Sequence, residues 1–259
     1  DTAHHAFFTN KKVDKFVGRW LAAYPMFNSW SRYRPYHLQH HGHTGTENDP
    51  DLPITRVYPT SKKGLFRKLM RDFTLMSGLK NYIGIFMMHF GFLKYSLGGS
   101  AKKEDRSQRN GWQWFQFAVR EAWGPVVWHL ILFGICFAVD YWWLYLIWLG
   151  AMMTTAMFSF RVRAMAEHSV IEVNERHKYP TRTVKANFLE TLLFAPHHVN
   201  YHLEHHLIMT VPSYNLPKMH RMLLERGFYD EHAVLETSYL NILRRVANQK
   251  LQPTPLQTR

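Results

Sequence analysis

The chain has 259 residues, enough for one substantial domain, and carries a formal net charge of +13 with 17 histidines against a single cysteine, Cys136. One thiol excludes a disulfide framework and every zinc or iron–sulfur site built on cysteine within the chain. The charge calls for a polyanionic partner, and an aromatic content of 15% is rich for a soluble domain and suits a membrane–water interface.

In chain order, the first histidines are His4 and His5, inside the run Asp1-Thr2-Ala3-His4-His5-Ala6-Phe7-Phe8. Opening at Asp1 rather than Met, the chain reads as a fragment or a processed product. Next comes His37-Leu38-Gln39-His40-His41, with His43 behind it and Asn48-Asp49-Pro50-Asp51 following. The segment 64–76 places Leu65, Phe66, Leu69, Met70 and Phe73 on one helical face and Arg67, Lys68, Arg71 and Asp72 opposite. That is the pattern of a basic amphipathic helix lying in an interface. Residues 82–97 are apolar but include His89, two glycines and Lys94, which leaves open a second in-plane helix or a short membrane-dipping one. The whole of 64–97 is thus read as interfacial helices, with 102–111 a charged linker.

Two apolar stretches follow, 122–139 and 141–160, each about the length a helix needs to cross a bilayer. Asp140 and Tyr141-Trp142-Trp143 supply a turn and an aromatic belt, so 122–160 reads as a transmembrane hairpin rather than the buried hairpin of a soluble protein. A hairpin returns both flanks to one side, and Lys102, Lys103, Arg106, Arg109, Arg161 and Arg163 place that side in the cytoplasm. His129, within the first stretch, and His89 read as satisfied buried histidines. His177, His220 and His232 read as surface residues, and 216–226 and 235–246 as ordinary amphipathic helices. The predicted architecture is an all-α integral membrane protein, one domain over 1–259, whose hairpin carries a cytoplasmic helical cap bearing the histidines.

The third histidine group is His202-Leu203-Glu204-His205-His206, preceded by His197-His198, so the pattern HxxHH occurs twice. On a helix, positions i, i+3 and i+4 share a face, and three imidazoles converge from each run, whereas a strand scatters them. Six such ligands, with His4 or His5, exceed what one tetrahedral zinc accepts, and two metals are the natural reading. Imidazole alone suits zinc, copper, iron and nickel alike. The Glu-x-x-His pairs of soluble di-iron bundles and the HExxH of zincin proteases are both missing from the sequence. His198, four residues before His202, is a further candidate beside the metals. Asp1, Asp49, Asp51, Glu167 and Glu204 are candidates to accept the second N–H of an imidazole. Glu204 points away from the i, i+3, i+4 face, and plain solvation is its alternative reading.

These runs, together with Asn200-Tyr201-His202-Leu203-Glu204-His205-His206-Leu207, resemble the membrane fatty acid desaturase family over nearly the whole sequence. The order of box one, box two, membrane hairpin and box three carries the resemblance, and related membrane hydroxylases and carotenoid ketolases share much of it. The family's first box is HxxxH or HxxxxH, so this chain starts one residue too late to include its first member. His4 fits the shorter spacing and His5 the longer. His168, in Ala166-Glu167-His168, matches a family histidine between the hairpin and the third box. The resemblance implies His4, His37, His40, His41, His168, His202, His205 and His206 at the catalytic centre, with His5 and His198 as further candidates. It also implies two ferrous ions, dioxygen, two electrons from outside and, as the target, an unactivated C–H bond of a fatty acyl group. Phe86, Met87, Met88 and Phe90 are candidates to line an acyl channel, with ordinary packing as the alternative.

The sequence has no GxGxxG, no cysteine-ligated cluster and no HPGG segment of a fused cytochrome b5, so its electrons come from a separate carrier. An acidic ferredoxin or cytochrome b5 suits so basic a face. Hydroxylation is the close alternative, because the same site can return oxygen to the substrate carbon. A non-catalytic membrane metal-binding or transport protein is the alternative of another class, but its polar site would lie within the spans. Nucleic acid accounts for the charge but not for the apolar hairpin.

Overall fold

The computed structural model describes residues 1–97 and 101–257; the rest of the single domain expected over 1–259 lies outside the described residues. Helices dominate. A 3-10 turn, Thr2–His4, leads to α1 (Lys11–Val17), whose N-cap Asn10 accepts hydrogen bonds from Lys12 N and Val13 N. Helix α2 (Trp30–His43) carries the first HxxHH run, and a single turn, α3 (Leu52–Thr55), follows the Asp49-Pro50-Asp51 corner.

The segment read as helices over 64–97 forms α4 (Lys62–Phe73) and α5 (Met76–His89), parted at Leu75, which adopts φ 65°, so the second helix starts and ends earlier than the expected 82–97. The polar face expected for α4 is corrected at Asp72. That carboxylate is fully buried and takes two hydrogen bonds from the Arg161 guanidinium, at 2.5 and 2.7 Å. Phe66, Met70 and Phe73 of the same helix face outward. On α5, Phe86, Met87 and the following Phe90 also face outward and only Met88 is buried, so these residues do not converge on an internal channel. Gly78 lies against the backbone of Met153, where any side chain would collide, and this lets α5 approach the second apolar helix closely.

The first apolar helix, α6 (Gly111–Ala138), starts well before the predicted position 122. Its cap explains the extension: Asn110 Oδ1 accepts from Gln113 N and Gln113 Oε1 accepts from Asn110 N, both at 2.9 Å, a reciprocal capping box. After the turn at 139–142 come α7 (Trp143–Met153) and α8 (Thr155–His168), one apolar helix with a break at Thr154. Both long helices reach the length and hydropathy of a membrane span, and their most apolar windows are only 17% and 6% buried. Core helices of a soluble protein are mostly covered; these are bare.

The lower half of α8 belongs to a different environment. Val162, Met165 and Ala166 are buried with Tyr58, Leu65, Val184 and, from α13 (Tyr239–Val246), Tyr239, Ile242 and Val246. One helix therefore begins as an exposed apolar rod and ends, at His168, inside a packed core.

The remaining α-helices among the described residues are α9 (Phe188–Phe194), α10 (His202–Leu207), α11 (Leu216–Glu225) and α12 (Phe228–His232). The all-α expectation needs one correction. Strands β1 (Arg182–Val184) and β2 (Val234–Glu236) pair in parallel, with Thr183 opposite Leu235. The helix expected from 235 consequently starts only at Tyr239.

Candidate metal centre

Eight histidines drawn from the whole sequence meet in two groups. His4, His37, His41 and His205 form the first, and His40, His168, His202 and His206 the second. Within each group, one ring nitrogen from every residue lies within 4.8 Å of the others. His41 Nε2 stands 3.2 Å from His37 Nε2 and 3.0 Å from His205 Nε2. In the second group His202 Nε2 is 2.9 Å from His168 Nε2 and 3.1 Å from His206 Nε2. Ligands around a tetrahedral ion at bond lengths of about 2.0–2.1 Å stand about 3.3–3.4 Å apart, close to these separations. Four lone pairs aimed at one point cannot all be satisfied by sharing protons. A cation satisfies them together.

The geometry corrects the expectation that each HxxHH run delivers three imidazoles to one place. His37 and His41 go to the first group and His40 to the second, whereas His202 and His206 go to the second and His205 to the first. Helix pitch explains the division. Residues four apart differ by about 40° around the axis, but the i+3 residue lies about 100° from its i+4 neighbour. The runs on α2 and α10 face one another in opposite senses, and each supplies both groups. The two groups abut where His41 and His206 stack, with ring centroids 4.2 Å apart.

Second nitrogens fix the ring orientations. His40 Nδ1 donates to Asp49 Oδ1 at 2.8 Å, with Asp51 Oδ2 at 3.6 Å, and His168 Nδ1 donates to the Pro180 carbonyl at 3.0 Å. Thr44 gives its hydroxyl proton to the His40 carbonyl at 2.7 Å, so its oxygen accepts from His206 Nδ1 at 3.3 Å. Each of these bonds leaves Nε2 as the free lone pair. Glu167 sits 3.8 Å from His202 Nδ1 and is paired with Arg163. Both ring nitrogens of His4 are buried with no hydrogen-bond partner, as are His41 Nδ1 and His202 Nδ1. A cation would satisfy one nitrogen of His4, whereas the Nδ1 atoms of His41 and His202 lie on the far side of rings whose Nε2 faces the group.

Burial is the leading cause that holds His4 down at about 4, His41 at about 3 and His205 at about 2. It also pushes His37, His202 and His206 well below the usual imidazole value, with neighbouring imidazoles adding to the effect. These rings are neutral near pH 7 and present lone pairs. Burial opposes charge on His40 too, but the Asp49 hydrogen bond and the charges of Asp51, Asp49 and Glu167 outweigh it and raise its pKa. A raised pKa means that, as pH falls, protons compete for His40 first. In the metal-free protein His40 should therefore take up a proton at higher pH than the rings that burial holds neutral, which an NMR titration of the imidazoles checks; His40 titrating last would contradict this. Replacing Asp49 with Asn removes the anionic acceptor, and affinity at the second group should fall about 10–100-fold in a chelator competition.

His5 and His198 stand outside both groups. His5 has a left-handed backbone, φ 55°, that turns its Nδ1 to Asp14 Oδ2 at 3.2 Å, leaving His4 to complete the first group. His198, also left-handed at φ 59°, is exposed. Asp1 does not orient box one, because its carboxylate accepts from Ser213 N at 3.0 Å and Ser213 Oγ at 2.6 Å. Nor is Glu204 solvated. It is fully buried and accepts from Thr183 Oγ1, from Tyr229 OH and, at 2.6 Å, from His220 Nδ1. His220, read as a surface residue, is buried with it. A signal was present: His220 lies four residues after Leu216 and three before Leu223, on the apolar stripe of α11. The buried histidines read as satisfied are so at one nitrogen each, His89 Nε2 donating to the Phe27 carbonyl at 2.7 Å and His129 Nδ1 meeting Tyr145 OH at 3.2 Å, while His89 Nδ1 and His129 Nε2 are buried with no hydrogen-bond partner.

Comparison with known proteins gives a coherent set of likenesses. The profile of the fatty acid desaturase family matches residues 1–239. A dihydrorhizobitoxine desaturase of Bradyrhizobium elkanii is 27% identical over 237 residues, covering 88% of this chain and 63% of its own. The chloroplastic omega-6 fatty acid desaturase of Spinacia oleracea is 27% identical over 233 residues, 87% of this chain and 49% of its own. Its Glycine max counterpart is 24% identical over 232 residues, 87% of this chain and 52% of its own. The chain thus spans about half to under two thirds of the length of these curated relatives.

Proposed function

Because this chain belongs to the fatty acid desaturase family, we propose that it is a membrane-bound di-iron oxidoreductase that introduces a double bond into a lipid acyl group, using dioxygen and two electrons from a separate carrier. The observation that carries this reading is the pair of four-imidazole groups, with Nε2 atoms facing one another at about 3 Å. His4, His37, His41 and His205 would hold one iron, and His40, His168, His202 and His206 the other. Iron bound there supplies the oxygen chemistry that removes hydrogen from an unactivated methylene.

The protein's own work is positioning. Asp49, the Pro180 carbonyl and Thr44 hold three rings so that Nε2, not Nδ1, faces the metal. Neutral, desolvated imidazoles bind metal without first losing a proton at pH 7. The helix α7–α8 runs from the bare apolar region to His168, and so connects the lipid phase to the site within one element. In this reading α6 and α7–α8 form a transmembrane hairpin, the other helices cap it, and the basic flanks put the cap in the cytoplasm. The charge of +13 favours an acidic electron carrier of the ferredoxin or cytochrome b5 type.

Expression of the full-length gene in a host, followed by mass spectrometry of its lipids, tests the activity. Desaturation removes two hydrogens from an acyl group, hydroxylation adds one oxygen, and an unchanged lipid profile would overturn the enzymatic reading. Electron transfer from the carrier should slow steeply as salt rises, because exposed charges are screened within about 10 Å at 0.1 M ionic strength. A rate independent of ionic strength would remove the acidic carrier.

A further inference from the structure

Helix α9, which the sequence did not single out, presents an apolar face with nothing over it. Phe188 is 79% exposed, Leu192 65%, Leu189 63% and Leu193 54%. These four cover a sector of about 140° on the helix, while Glu190 and Phe194 face the opposite way. The inward side is firmly held. Glu190 Oε1 accepts from Tyr239 N at 2.9 Å, and Phe194 packs on Phe158 and Tyr239 with ring centroids 5.8 and 5.3 Å away. A capping box between Asn187 and Glu190 fixes the helix start. The outward leucines and phenylalanine are therefore displayed by an ordered element.

Phe158 lies on α8, part of the second apolar helix, and its other side packs on Phe73 of α4 at 4.8 Å. Helices α4 and α9 thus both pack on Phe158, at one level along the long helix, and each turns exposed apolar residues outward there. Arg67 and Arg71 on α4 and Lys185 just before α9 are exposed beside these faces. An apolar face edged with cations matches the boundary of an anionic lipid layer.

We propose that α9 is a lipid-inserted anchor, with Phe188, Leu189, Leu192 and Leu193 among acyl tails at the membrane surface. The proposal rests on α6 and α7–α8 spanning the membrane, and it adds a further point of attachment. Its place in the sequence gives it a use. The segment 195–201 joins α9 directly to α10, so the anchor fixes the depth at which His202, His205 and His206 stand relative to the lipid.

The test uses the full-length protein in vesicles of phosphatidylcholine and phosphatidylglycerol, with Cys136→Ala as background. A polarity-sensitive fluorophore is placed at Leu192→Cys, with Glu175→Cys as an exposed reference and Leu130→Cys on α6 as a reporter of the span. Expected at Leu192→Cys are a blue-shifted emission, quenching by a spin label on the lipid tails and less quenching by aqueous iodide than at Glu175→Cys. Lipid quenching at Leu130→Cys with iodide quenching at Leu192→Cys would overturn the anchor and leave the spans. Absence of lipid quenching at both would overturn the membrane reading itself. Protection of Leu192→Cys from both quenchers would mean a protein covers the helix, and would also overturn the proposal.

Discussion

His41→Ala should abolish product formation and lower bound iron from about two per protein to about one, while the protein stays in the membrane fraction. His41 is the ring through which the first group is assembled, since its Nε2 is within 3.2 Å of both His37 Nε2 and His205 Nε2. Its removal leaves His4, His37 and His205 without the ring that links them, and takes one of four ligands from the first ion. The second group keeps all four imidazoles, so one metal remains. Ligand loss costs binding energy, but the bare apolar faces of α6 and α7–α8 are untouched, so membrane integration persists. Iron analysis and lipid mass spectrometry on the same preparation check both halves. Retained activity with two irons would remove His41 from the site.

Glu204→Leu should produce the second large effect, through stability rather than ligation. The carboxylate serves Thr183, Tyr229 and His220 inside the protein; with leucine, His220 Nδ1 keeps Tyr229 OH at 3.0 Å and Tyr229 OH keeps Thr183 Oγ1 at 3.3 Å, but the Thr183 hydroxyl is left buried without an acceptor and three bonds to a carboxylate are lost. Each such orphan costs about 1–3 kcal/mol. One orphan predicts a loss of about 1–3 kcal/mol, or roughly 2–12 °C in thermal midpoint for a protein of this size. Because Glu204 sits within the six-residue α10, the loosened helix also carries His202, His205 and His206 out of register. Glu204→Gln keeps an oxygen acceptor and should recover most of the midpoint. A Leu variant that melts with the parent protein and retains its iron would show that the network does not hold α10 in place.

Much of the site could be read from spacing, because i, i+3 and i+4 histidines lie close together on any helix whatever surrounds it. His37, His40, His41, His202, His205 and His206 are legible on that ground alone. That i and i+4 go together while i+3 parts from them follows from helix pitch, but which helix supplies which group does not, since it depends on how α2 and α10 face each other across the fold. His168 has no local signature; only the family resemblance marks it. Between His4 and His5, spacing leaves the choice open, and the backbone turn at His5 with its bond to Asp14 decides. The burial of Glu204 and His220 depends on β1 and Tyr229 closing over them, contacts made at long range. The parallel pair β1–β2 is three residues long on each side, too short for alternation to show. The start of α6 is obscured because Gln113, Arg120 and Glu121 lower the hydropathy of its first turns, although the Asn110–Gln113 cap is there to be read.

The crossed division of ligands also bears on how the molecule is closed. Each metal would tie three distant stretches of the polypeptide at a single knot. The two knots share α2 and α10, with the turn at His4 added to one and the end of α8 at His168 to the other. Loop closure of this range constrains the unfolded polypeptide most strongly, so metal uptake and folding become one event. No half of the protein owns a metal: cutting away either HxxHH run would strip ligands from both ions at once, and chelation should loosen α2 and α10 together rather than one after the other.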